Sequence, residues 1–214
     1  MTEAEWLTGN DPLKMLEFLR GTASDRKLRL FLIACCRACW HLGKSHQVSR
    51  QAVEMAERYT EGKTNEMEIR DLSRAAWKVR APAGGEYAFI YLAARTLDSE
   101  LKRGWGIADD TALESIARHA GTLPGAAQCH LLHDIFDSLP FHTDSLNPAC
   151  LAWNDTITKL AQAIYDECRF ADLPLLADAL EETGCTNADI LGHCREARQH
   201  VRGCWVVDLV LGKN

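Results

Sequence analysis

Apolar residues recur three and four positions apart along most of the chain, the spacing that lays one continuous stripe down a helix. Leu13, Leu16 and Leu19 open the series, and Leu28, Phe31, Leu32, Cys35, Cys36, Cys39 and Leu42 extend it over a wider face. The same spacing returns in Ala52, Val53, Ala56 and Tyr59, then in Leu72, Ala75, Ala76 and Val79. It recurs through residues 87–94, in Leu131, Leu132, Ile135 and Phe136, and in Ile157, Leu160, Ala161, Ile164 and Tyr165. Nowhere does a sustained two-residue alternation appear, and there is no Asn-Gly or Asp-Gly hairpin signal. The pattern predicts an all-α protein, an irregular multi-helix bundle or helical-hairpin array of about ten to twelve helices.

The punctuation between these stripes is helix punctuation. Thr2 with Glu5 makes a capping box, and Asp11-Pro12 opens a second helix, because proline at the first helical position forfeits no hydrogen bond. Ser24 predicts the start of a long central helix over 25–42, Thr64 the start of another, and Thr186 with Asp189 a second capping box. Gly9, Gly21, Gly43 and Gly184 mark helix ends. Ala81-Pro82-Ala83-Gly84-Gly85 is the strongest break, and it suggests an N-terminal helical half, 1–81, and a C-terminal half, 86–214, sharing one core. The valine-rich tail over 200–211 reads as a buried helix rather than a strand.

Composition narrows the class. Of the 214 residues, 47% are hydrophobic and 25% charged, enough apolar surface to offset chain entropy. A formal net charge of -6 and a pI near 5.7 argue against a dedicated nucleic-acid binder, which presents a basic face. No run of about 18 apolar residues suggests a membrane span. The acidic start, Met-Thr-Glu-Ala-Glu, is unlike a secretory signal, so a cytoplasmic location is expected and the nine cysteines are expected to be reduced thiols.

Those cysteines, with the histidines, are the main candidates for chemistry. Zinc takes cysteine, histidine and carboxylate ligands at tetrahedral geometry. Near the C-terminus the chain supplies Cys185, His193, Cys194, His200 and Cys204, and on a helix His200 and Cys204 would share a face. Cys36 and Cys39 form a further C-x-x-C. Both sets lie in apolar helical runs instead of the tight turns that structural zinc sites favour, so the expected role of these thiols is core packing, with zinc as the alternative. His130 and His133, with Asp134, could present a His/carboxylate set on one helical face, with His142 or Asp144 as further ligands; a solvated polar face is the plainer reading. No nucleophile elbow and no glycine-rich phosphate loop occurs. Arg26, Lys27 and Arg29 form a basic cluster that reads as the solvated flank of a helix and otherwise as a grip for an acidic partner. Trp105, between two glycines, is the aromatic placed best for a partner contact.

Two stretches carry a resemblance. The opening EAEWLTGNDPLKMLEFLRGTASDRKLRLFLIACC, residues 3–36, and the closing LPLLADALEETGCTNADILGHC, 173–194, followed by HVRGCWVVDLVLGK, 200–213, resemble a family of uncharacterised bacterial proteins. That resemblance implies a recurring architecture and supplies no activity. The expected function is a non-enzymatic helical interaction or regulatory module whose partner is another protein, with no cofactor. A zinc-dependent enzyme or zinc-stabilised domain, and a nucleic-acid-binding accessory protein, are the alternatives.

Overall fold

The computed structural model describes residues 1–80, 84–98, 101, 123–136 and 155–213. Among the described residues every regular element is a helix: eleven α-helices and two 3-10 turns, as the spacing predicts. None is long and apolar enough to cross a membrane. The chain divides into two compact units, Met1–Leu132 and His133–Asn214.

The first unit begins with two short helices whose caps follow the sequence. In α1 (Glu3–Leu7) the Thr2 hydroxyl accepts from the Glu5 N–H at 3.3 Å, while the Glu5 carboxylate accepts from the Thr2 N–H at 2.7 Å. In α2 (Pro12–Phe18) Asp11 accepts from the N–H groups of Leu13 and Lys14, and Pro12 sits in the first turn. The central element is α3 (Asp25–Ala38), capped by Ser24, whose hydroxyl accepts from the Lys27 N–H at 3.2 Å. It buries every residue from Lys27 to Cys36. A 3-10 turn, Trp40–Gly43, leads to α4 (Gln47–Thr60), and α5 (Glu66–Ala76) and α6 (Gly85–Arg95) follow. Helices α4 and α6 both pack on α3, and α5 packs on α4 and α6. The cap of α5 is Asn65, which accepts from Met67 and Glu68, whereas the expected capper Thr64 bonds the Glu68 side chain instead. Gly43 lets the 3-10 turn close on α6: a Cβ there would lie 2.3 Å from the Phe89 ring.

The basic cluster of α3 is not a solvated flank. Lys27 and Arg29 are buried, and only Arg26 remains partly exposed. The Arg29 guanidinium donates to the main-chain carbonyls of Thr96 and, at 2.9 Å, of Asp98, and it lies 5.0 Å from the centre of the Tyr59 ring. These carbonyls lie at the C-terminal end of α6, where helix geometry leaves acceptors unmatched. A guanidinium is a suitable group to fill them while its aliphatic stem packs in the core.

The chain enters the second unit within α7 (Gly125–Phe136), whose last residues, from His133, belong to that unit. Its further helices are α8 (Asp155–Glu167), α9 (Leu173–Glu182), α10 (Ala188–Arg195) and α11 (Trp205–Leu211). Ile157, Ala161, Ile164 and Tyr165 of α8 meet Leu176, Ala177 and Leu180 of α9, Ile190 and Leu191 of α10, and Val206, Val207 and Val210 of α11 in one core. Helix α10 is capped by Asn187, which accepts from Asp189 and Ile190, and not by Thr186. The tail is only partly helical. Helix α11 starts at Trp205, and residues 200–204 form a turn in which Gly203 has φ +100°, a conformation costly for any residue with a Cβ.

Candidate metal centre

That turn, the end of α10 and the end of α7 bring four side chains of the second unit together. Asp134, His193, His200 and Cys204 each offer one ligand atom, and all four atoms lie within 4.8 Å of one another. All four residues are buried, Asp134 and Cys204 completely. The Asp134 Oδ1 atom is 2.6 Å from His200 Nδ1 and 3.2 Å from His193 Nε2. His193 Nε2 is in turn 3.2 Å from Cys204 Sγ.

Each side chain is placed by local structure. His193 occupies the last turn of α10. His200 and Cys204 lie at the two ends of the Gly203 turn, closed by the Cys204 N–H donating to the Val201 carbonyl at 2.9 Å. Asp134 projects from a buried stretch of α7, Leu131 to Phe136, in which His133 is the other polar residue. Its second oxygen accepts the Val201 main-chain N–H at 2.8 Å, which fixes the carboxylate against the turn. The Trp205 indole N–H donates to His193 Nδ1 at 2.9 Å, and its ring lies edge-on at 5.2 Å between centres. Because Nδ1 accepts, the His193 ring proton sits on Nε2 and points at Asp134 and Cys204.

The electrostatics are those of a coupled buried set. Burial works against charge on Asp134, yet hydrogen bonds from His193 and His200 outweigh it and hold its carboxyl below the usual range. Burial likewise opposes protonation of His200, but the Asp134 hydrogen bond raises its pKa to about 9. The Cys204 thiol is lowered despite complete burial and the nearby Asp134 charge, chiefly through its hydrogen bond with His193. One polar atom is left over: His200 Nε2 is buried and meets no hydrogen-bond partner. By contrast, burial pushes the Cys35, Cys36 and Cys194 thiols up, as expected of sulfur packed as an apolar group.

The four side chains could hold a metal ion, and their donor types are among those that zinc takes. Zinc takes bonds of about 2.0–2.2 Å to nitrogen and oxygen and about 2.3 Å to sulfur, so tetrahedral ligands lie roughly 3.3–3.6 Å apart. The two 3.2 Å separations are close to such an edge. The 2.6 Å pair has a hydrogen-bonded proton between its atoms and must open to admit a metal, and a metal on His193 Nε2 would also break the Trp205 hydrogen bond to Nδ1. Charge also balances: a carboxylate and a thiolate neutralise a 2+ ion, and both imidazoles remain neutral.

The sequence-derived residues divide as follows. His193, His200 and Cys204 converge, in the tight turn that the helical reading of the tail excluded. Cys185 and Cys194 are buried in the core of the unit and lie outside the four-residue set. His130 is exposed on α7, and His133 is buried but is also outside the set. Asp134, paired with His130 on the spacing argument, belongs with residues far along the chain. Its signal in the sequence was an ionisable residue in a helix segment that also carries Leu131, Leu132, Ile135 and Phe136. Trp105, His142 and Asp144 lie outside the described residues. The eight described cysteines are free thiols, and only Cys168 is exposed. Comparisons with protein-family models, curated proteins and solved structures return no match, so the functional reading rests on this site.

Proposed function

We propose that the protein is a non-catalytic helical module whose C-terminal unit is held together by one zinc-type divalent ion on Asp134, His193, His200 and Cys204. The observation that carries the reading is the convergence of four donor atoms of suitable type within 4.8 Å in a fully buried setting. Structural sites have four protein ligands and no open position, whereas catalytic sites keep one position for water or substrate. Here the four donors come from three separate segments of the unit, so an ion would tie the end of α7 and the end of α10 to the turn before α11. On this reading the module serves as a scaffold for another protein, and the ion supplies folding energy rather than chemistry.

The test is elemental analysis of protein purified without a histidine tag, after reconstitution with zinc and removal of excess metal. About one equivalent per chain is expected, falling to background in His200→Ala and Cys204→Ser. Failure of the wild-type chain to retain any metal refutes the reading.

A further inference from the structure

The first unit contains a cavity of about 330 Å³ between α5, the end of α4 and the end of α6. That volume is at the small end of ligand-binding clefts. Its wall is mixed in a specific way. Ile69 and Leu97 are buried and supply an apolar surface, and Tyr59 is half-buried beside them. Around these stand three guanidiniums, Arg29, Arg70 and Arg74, against two carboxylates, Glu66 and Asp98.

The charges are not equally free. Asp98 is engaged: Arg95 donates to it at 2.6 Å and the Trp77 indole at 3.4 Å. Arg29 is committed to the Thr96 and Asp98 carbonyls. Arg74 shares its charge with Asp71 at 3.2 Å, an exposed pair that is weakly held. Arg70 has no ion-pair or hydrogen-bond partner among the described residues, although it is one helical turn from both Glu66 and Arg74. Ser73 lies with it on the same wall and adds a hydroxyl. With Asp98 balanced by Arg95, the remaining lining charge is positive, and Arg70 and Arg74 place it on the α5 side of the cleft.

We propose that this cavity binds a small organic anion, a carboxylate or phosphate group joined to a compact, flat apolar body. The anionic group takes Arg70, Arg74 and the Ser73 hydroxyl, for which forked guanidinium donors suit planar or tetrahedral oxyanions. The apolar body lies against Ile69, Leu97 and the Tyr59 ring. A cation is disfavoured by the same guanidiniums, and a bare anion leaves the apolar wall unused.

The experiment titrates the full chain with benzoate and with phenyl phosphate, followed by calorimetry and by backbone amide NMR shifts. Inorganic phosphate and benzylamine serve as controls. Saturable one-site binding of benzoate or phenyl phosphate is expected, and whichever binds more tightly identifies the anionic group. Arg70→Ala should weaken it about tenfold or more, the loss of one charge-assisted hydrogen bond. Arg70 is exposed, so the variant keeps the fold, which circular dichroism checks. Arg80→Ala, exposed and outside the lining, should leave affinity unchanged. The proposal is overturned if neither organic anion saturates, if benzylamine or inorganic phosphate binds as tightly, or if Arg70→Ala has no effect.

Discussion

Replacing Asp134 by alanine is the most informative single perturbation of the second unit. The carboxylate is completely buried and serves three donors at once: His200 Nδ1 at 2.6 Å, the Val201 N–H at 2.8 Å and His193 Nε2 at 3.2 Å. Charge-assisted hydrogen bonds contribute about 1.5–3 kcal/mol each, but they share one acceptor and are not additive. His200 can also shed its proton when its partner is removed, which limits the penalty. Removing one member of a buried charged set costs about 3–5 kcal/mol, and that is the expected loss. Urea unfolding with and without a strong chelator separates two contributions. The wild-type chain should lose stability when metal is removed, while Asp134→Ala, already lacking one ligand, should respond little to the chelator. A loss below about 0.5 kcal/mol, within the range of ordinary surface substitutions, would refute the reasoning.

Further expectations follow from named contacts. Gly43→Ala places a Cβ 2.3 Å from Phe89, a fully buried ring, and should cost about 1–3 kcal/mol in thermal or urea unfolding. Asn187→Ala removes the cap of α10 and should lower stability by about 1 kcal/mol while loosening His193, seen as faster metal loss to a chelator. Among the eight described cysteines, Cys168 should react first with a thiol reagent under native conditions, and the rest only on unfolding. Loading a metal on His193 Nε2 moves the remaining ring proton to Nδ1, facing the Trp205 indole N–H. The indole resonance of Trp205 should therefore shift on metal addition, and a spectrum unchanged at saturating metal would count against His193 as a ligand.

How much was legible in the sequence depended on the range of the interaction. Local signals read correctly: the Thr2/Glu5 capping box, Asp11-Pro12 and the Ser24 cap all appear where the residues place them. Two caps slipped by one position, from Thr64 to Asn65 and from Thr186 to Asn187, because adjacent polar residues compete for the same N–H groups and asparagine accepts two of them. The burial of Arg29 was not legible, since its carbonyl partners are 67 and 69 residues away. The same limit applied to the metal centre. His193, His200 and Cys204 stood out by residue type, whereas Asp134 joins them from 66 residues upstream of His200. Cys185 and Cys194 could not be separated from Cys204 by sequence, because a cysteine packs equally well as a small apolar group. The turn before α11 was hidden by the helical spacing of the tail, and only Gly203 betrayed it.

The most direct test of the metal centre is a cobalt(II) titration followed by visible and near-ultraviolet absorption. One equivalent should produce the intense bands of a tetrahedral ion together with a thiolate-to-metal charge-transfer band, and Cys204→Ser should abolish the latter. Zinc should displace the cobalt and bleach the spectrum. No tetrahedral spectrum, or a charge-transfer band that survives Cys204→Ser, would contradict the assignment of Asp134, His193, His200 and Cys204 as the ligands.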